Sequence, residues 1–340
     1  MKALVIDKKN HTKFCDIDTP KIADDEILID VDYVGICGSD LNTFRGLNPL
    51  VTLPRIPGHE IGGVIAKKGT NVPNEFNLGD RAIVIPYSTC GKCSSCLSGR
   101  VNACKFNQTL GVQKDGGMCS QIAVHYDRLI LNKSLRSTHL ALVEPLSVGF
   151  HAVARGRVSS SDTVVILGGG MIGVGAILAS LAAGARVIVS EVSTVKHKLL
   201  KEIGVETVIN PQTSDLENEI KLLTDGHGAN VVIEAVGLPE TFVQAVDLTC
   251  FTGRVVYVGY AKDNVSYNTS LFNLKELDIM GSRNATRVDF EAVIEFLEHN
   301  SDLANNLISK IFSWADADQA FDYWEKNRNE TFKIMVDMKG

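Results

Sequence analysis

The stretch TVVILGGGMIGVGAILASLAAGARVIVSE, residues 163–191, decides the fold. It is long and apolar enough to suggest a membrane span, but its glycines divide it into strand, tight turn, helix and strand. Gly168-x-Gly170-x-x-Gly173 follows the predicted strand and opens the predicted helix. Glycines at these positions permit a tight turn and let a pyrophosphate approach the helix N-terminus closely. Met171 and Ile172 supply the first helical residues of that turn and belong to the same candidate cofactor site. The second strand ends at Glu191, 23 residues after Gly168, where a carboxylate is placed to chelate ribose hydroxyls and to repel a 2′-phosphate. NAD is therefore expected in preference to NADP. The alternatives are a phosphate-free β-α-β turn with Glu191 as a solvated strand end, and an FAD site, which the mid-chain position of the motif disfavours.

Outward from this unit the pattern continues. Strands TVIN, NVVIEAVG and GRVVYVGY alternate with helices TVKHKLLKEIG, DLENEIKLLTDG and PETFVQAVDLTC. Five strands alternating with helices predict a doubly wound parallel sheet, with Gly237 and Val258–Gly259 at the strand ends where such a sheet binds its ligand. Up to about residue 140 the chain reads instead as short β-strands separated by Gly, Pro, Asn and Asp turns. With 340 residues, two domains of ordinary size are expected. A net charge of −6 without blocks of like charge argues against a general nucleic-acid or anionic-membrane binder. MKALVIDKKNHTKF has no signal-peptide pattern, so a cytoplasmic location is expected and the eight cysteines read as metal ligands or core residues and not as disulfides.

Half of those cysteines fall in CGKCSSCLSGRVNAC, residues 90–104. Cys90, Cys93, Cys96 and Cys104 are spaced to close a tetrahedral zinc shell, which leaves no position for substrate. The ferredoxin run begins the same way but has x3 before its fourth Cys and then Pro, where this chain has x7 and Lys105. Zinc is therefore preferred to an iron–sulfur cluster. A scattered second set comprises Cys37 in GICGSD, His59 and Glu60 in PGHEIGG, and Glu144 in EPLSVG. Taken singly, each has a plain structural reading: a core thiol, a polar turn, a helix start.

GICGSD, PGHEIGG, LGDRA, the four-cysteine loop, EPLSVG and the glycine turn together resemble, in this order and over the whole chain, the medium-chain zinc-dependent alcohol and polyol dehydrogenases. The resemblance implies an α/β protein with a GroES-like β-rich catalytic domain, residues 1–147 with 285–340, and a Rossmann NAD-binding domain, residues 148–284. It implies two zinc ions per chain, one structural at the four cysteines and one catalytic at Cys37, His59, Glu60 and Glu144. Glu144, where ethanol-type enzymes more often have Cys, points to the sorbitol-dehydrogenase-like branch. Ser39 resembles the residue that takes the alcohol proton, while Asn42 stands where many relatives carry the relaying His. RGLNP and MGSRNAT are similar to the bacterial L-galactonate 5-dehydrogenase type, which makes Arg283, with Arg45 second, a candidate for the substrate, and Ser282 part of the cofactor site. The implied reaction is oxidation of a secondary hydroxyl of a polyol or sugar acid to the ketone, with hydride passing to NAD+. Close alternatives are L-threonine or 2,3-butanediol dehydrogenase; more distant ones are a zinc-free quinone-reductase-like enzyme and a non-catalytic nucleotide sensor. The resemblance also implies a homodimer or homotetramer, for which the VVYVG strand is a candidate sheet edge.

Overall fold

Runs such as VVIL and VVIE, in which every second residue is not polar, form strands only if both faces are covered. The computed structural model, which describes all residues from Met1 to Gly340, places them so: Val164, Val165, Ile166 and Leu167 are all buried. The chain divides into two units, Met1–Glu144 with Thr286–Gly340, and Pro145–Ala285.

The second unit is built on a parallel sheet of six strands in the order Thr207–Ile209, Arg186–Ser190, Thr163–Leu167, Ala229–Glu234, Thr249–Tyr257, Asp278–Gly281. The chain winds outward from Thr163–Leu167 on one side and then returns to build the other. Strand order therefore reverses between Thr163–Leu167 and Ala229–Glu234, the kind of switch point at which open α/β sheets bind ligands. Two features differ from the expectation. The sheet has a sixth strand, Asp278–Gly281, because DIMG is too short to register as a periodic run. VVYVG lies inside the sheet, hydrogen-bonded on both sides, and the edges are Thr207–Ile209 and Asp278–Gly281. Helix Met171–Ala182 is buried almost all round, as its uniformly apolar sequence requires. Gly149 admits it: a Cβ there would lie 2.3 Å from Ala176 N. No helix of the protein is long and apolar enough to cross a membrane.

The first unit holds a seven-stranded sheet whose centre is the long strand Glu26–Ile36. Glu60–Lys68 pairs antiparallel with it on one side and Lys333–Asp337 on the other. The C-terminal strand thus completes a sheet begun 300 residues earlier. Gly35 sits opposite Glu60 in one ladder and Met335 in the other, so the register brings Lys333 to the same end of the sheet as Glu60. Helix Gly38–Phe44 follows directly, its N-terminus closed by Asp40, whose Oδ2 accepts from the Cys37 N–H at 3.0 Å. Phe44 stacks on Phe321 with 5.2 Å between ring centroids, which anchors this short helix to the core. Helix Ser137–Arg155 carries Glu144 immediately before an internal Pro145, which has no N–H to offer the carbonyl of Ala141.

Candidate active site and metal centres

Cys37 lies at the end of the central strand and His59 and Glu60 at the start of its neighbour, so sheet pairing alone gathers them. Their ligand atoms all lie within 4.8 Å of one another. His59 is buried, its Nδ1 has no hydrogen-bond partner, and the nearest carboxylate oxygen, Asp40 Oδ2, stands 3.7 Å away. Burial works against an imidazolium, yet Asp40, Cys37 and Glu144 together hold His59 well above the usual histidine range. A thiol, an imidazole and a carboxylate converging in a field that favours positive charge fit a divalent ion of the zinc type.

The supports of this trio are not in the motifs themselves. Asp40 accepts from the Cys37 and Gly58 amides, tying both ligand-bearing loops to one buried carboxylate. The spacing Cys37-x-x-Asp40 ahead of an apolar run is a helix-cap signal that would have found it. Lys333 Nζ reaches Glu60 Oε1 and Oε2 at 2.5 and 2.6 Å, with the Ile36 carbonyl at 3.2 Å, and both side chains are buried. Burial pushes the Glu60 carboxyl up, against the pull of Lys333. Gly35 is required by the same carboxylate: a Cβ there would fall 2.0 Å from Glu60 Oε2. No local pattern marks Lys333, which lies 273 residues from its partner.

Glu144 is buried but stands outside the trio's mutual 4.8 Å contact, and its Oε1 accepts from the Tyr87 phenol. Gly62 lets its helix come this close, since a Cβ there would meet Leu140 Cβ at 2.6 Å. Ser39 and Asn42 are half-buried on helix Gly38–Phe44, next to Cys37 in sequence. Arg45, at the end of that helix, is half-buried, and its Nε donates to Glu325 Oε2 at 2.6 Å. Ser282 is buried and Arg283 exposed.

The four-cysteine lobe closes as a compact cluster, with all four sulfurs within 4.8 Å of one another. Cys93 Sγ lies 3.5 Å from Cys96 Sγ and 3.8 Å from Cys104 Sγ. The Ser95 hydroxyl and the Cys96 and Lys105 amides pull the Cys93 thiol down to about 5. Burial and the neighbouring Cys93 and Cys104 side chains push the Cys96 thiol up to about 11, so metal binding would have to displace its proton, and the four sulfurs fit a closed tetrahedral zinc site. The lobe around them is short of apolar burial, with Leu97, Val101 and Phe106 exposed, so a metal crosslink is what such a segment needs to stay ordered.

In the second unit Gly168 has φ +100°, and a Cβ on Gly173 would fall 1.9 Å from the Gly168 carbonyl oxygen, so no other residue fits either position. Gly170 caps helix Met171–Ala182, and apart from its chain neighbours no protein atom lies within 4 Å of where its Cβ would stand. That helix has no acidic residue in its first turn. A closed turn below and open space at a helix N-terminus above fit a pyrophosphate. Met171 and Ile172 are half-buried beside it. The Glu191 carboxylate accepts from Gly169 N–H at 2.8 Å and Ser193 N–H at 2.7 Å, so it also braces the turn. At the next strand end Gly237 and Gly259 meet backbone to backbone: a Cβ on Gly259 would fall 2.5 Å from Gly237 N. Between them lies fully buried Glu234, which the motif reading passed over. Its Oε1 takes the Val236 and Gly237 amides and the Thr241 hydroxyl, and its backbone carbonyl takes the Val258 and Gly259 amides.

Comparison with known proteins places both halves. Residues 23–134 match the alcohol dehydrogenase GroES-like domain, and residues 172–299 the zinc-binding dehydrogenase family. The L-galactonate-5-dehydrogenase of Escherichia coli (strain K12) is 30% identical over 336 residues, covering 99% of this chain and 98% of that protein. A sorbitol dehydrogenase of Bacillus subtilis (strain 168) is 34% identical over 343 residues, covering 99% and 97%. Among solved structures, RspB of Escherichia coli CFT073 in complex with NADH has a TM-score of 0.92 at 26% identity, covering 99% of both chains.

Proposed function

Because the chain belongs to the zinc-type medium-chain alcohol and polyol dehydrogenases, we propose that it oxidises a secondary hydroxyl of a sugar acid or polyol to the ketone, with NAD+ as hydride acceptor. A hexonate such as L-galactonate is the preferred substrate, and a hexitol or pentitol the next. The observation that carries the reading is the thiol–imidazole–carboxylate trio of half-buried Cys37 with buried His59 and Glu60, and a second buried carboxylate, Glu144, beside it. Such a shell is harder than a two-thiolate one and suits a hydroxylated substrate.

Cys37, His59 and Glu60 would hold the catalytic zinc, with Glu144 outside that trio but beside it, and Cys90, Cys93, Cys96 and Cys104 would hold a structural one. When bound, the catalytic ion supplies a Lewis acid that lowers the pKa of an alcohol. Asp40 orients the loops that carry Cys37 and His59, and a carboxylate that fixes metal ligands in this way matters for affinity and activity. Ser39, on the helix that Cys37 caps, takes the alcohol proton. Asn42 does not titrate near neutral pH, so the proton leaves from Ser39 by a path that does not include it. The glycine turn at Gly168, Gly170 and Gly173 binds the pyrophosphate, and Glu191 disfavours a 2′-phosphate at its edge. Hydride transfer itself is the chemistry of the nicotinamide. No two of the eight cysteines are joined in a disulfide, in keeping with a reducing, cytoplasmic setting, and a homodimer or homotetramer is proposed from the family alone.

Arg283 is proposed to hold the substrate carboxylate through its planar guanidinium. Measured kcat/KM should favour hexonates over the matching uncharged hexitols. Arg283→Ala should lower kcat/KM for hexonates by about 10- to 100-fold, mostly through KM, the worth of a charge-assisted pair. Hexitol turnover should stay within about threefold, since an uncharged chain forgoes no ionic contact. An equal loss on both substrates would remove the carboxylate clamp.

A further inference from the structure

We propose that Tyr87 is a positioning residue for the metal centre: by donating to Glu144 Oε1 it holds that carboxylate beside the Cys37–His59–Glu60 trio as an outer-shell group and keeps it from closing on the ion as a ligand. The inference rests on the reading of the trio as a zinc site.

The phenol is committed to this contact. Tyr87 is only 6% exposed, and its ring meets Phe290 edge-on at 6.4 Å and 81°. Of the phenol and the carboxylate, only the phenol has a proton to give, so the hydroxyl is the donor. An O–H donor on a carboxylate is among the stronger hydrogen bonds, and it holds Glu144 Oε1 at the phenol. The other carboxylate, Glu60, has both oxygens on Lys333. Each of the two glutamates at this centre therefore has its own restraint.

The backbone that carries Tyr87 is fixed from the four-cysteine side. Pro86 O accepts from Leu110 N–H at 3.1 Å, Ser88 N–H donates to Asn107 Oδ1 at 3.0 Å, and Ser88 Oγ accepts from Gln108 N–H at 2.6 Å. Cys90 follows two residues later and Asn107 comes three after Cys104. The segment that the four cysteines close thus brackets the tyrosine that holds Glu144. A lobe with no open position for substrate reaches the chemistry through one phenol.

The test is a double-mutant cycle of Tyr87→Phe and Glu144→Gln on enzyme with cobalt in the trio and zinc kept in the four-cysteine lobe, using Cys37→Ser as the spectral blank. In Tyr87→Phe the freed carboxylate should enter the coordination shell. The cobalt absorption bands should then weaken, metal release to a chelator should slow by about 10-fold, and kcat should fall by about 10- to 100-fold, the range for outer-shell partners of metal ligands. On the Glu144→Gln background the same Tyr87→Phe change should alter none of these by more than about twofold. Tyr87→Phe spectra and release rates equal to wild type would overturn the proposal, as would equal changes on both backgrounds. Should wild-type enzyme show no Cys37-dependent thiolate–cobalt band, the metal reading of the trio fails first and the role of Tyr87 falls with it.

Discussion

Cys37→Ser is expected to lower kcat for secondary-alcohol oxidation by at least about 10³-fold, since the Lewis acid it helps to hold contributes several kcal/mol at about 1.4 kcal/mol per decade. The fold should survive. Cys37 is half-buried at a strand end, and the helix it precedes is capped through its backbone N–H, which serine retains. Urea unfolding of the variant should stay within about 1 kcal/mol of wild type, as for a substitution that leaves no cavity or orphaned charge. Cys96→Ser should behave in the opposite order. It removes one of four sulfurs from a lobe with little core of its own, so proteolysis of residues 90–107 should accelerate before turnover is lost. A Cys96→Ser enzyme as inactive as Cys37→Ser and as stable as wild type would exchange the roles assigned to the two centres.

Lys333→Met should destabilise the protein by about 3–5 kcal/mol, the usual cost of leaving one member of a buried ion pair uncompensated. Lys333 and Glu60 are 2% and 0% exposed, so neither charge has water as an alternative partner. Gly35 makes the room in which the carboxylate sits, its oxygen occupying the volume a side chain would take. Replacing both partners should recover most of the loss: Lys333→Met with Glu60→Gln removes the stranded charge and keeps the volume. Chemical denaturation of the two single variants and the double decides this. Additive losses would mean that the pair is not coupled and that Glu60 draws its compensation elsewhere.

The two sheets were legible for different reasons. In the nucleotide-binding half, strand and helix alternate within short windows, so period alone marks them, and only DIMG at the edge was too short to read. In the other half, the partner of Glu26–Ile36 is a strand 300 residues away, and no local pattern announces that pairing. The same division holds at the site. Cys37, His59 and Glu60 stand in motifs because each sits at a strand end where the backbone must turn, and Gly35, Gly58 and Gly62 are there to let side chains and helix approach. Lys333, Tyr87 and Glu234 stand in no motif. Lys333 and Tyr87 reach carboxylates 273 and 57 residues away, which depends on register and not on neighbours in sequence. The Glu234 side chain binds the nearby Val236, Gly237 and Thr241, and only its carbonyl reaches the next strand end. Asp40 lies between: its capping geometry is local and was readable, but its second contact, to Gly58, needed the fold.

On the proposed function, catalysis depends on an ion at Cys37, His59 and Glu60 and not on the fold alone. The direct measurement is NAD+ reduction over a panel of hexonates, hexitols and pentitols, with the metal content of the same sample followed during chelation and zinc return. Loss of about one zinc per chain should abolish NADH formation, and returning zinc should restore it, while Cys37→Ser enzyme should neither hold that ion nor recover. NADH formation that continues undiminished after the trio's metal has gone would contradict the account.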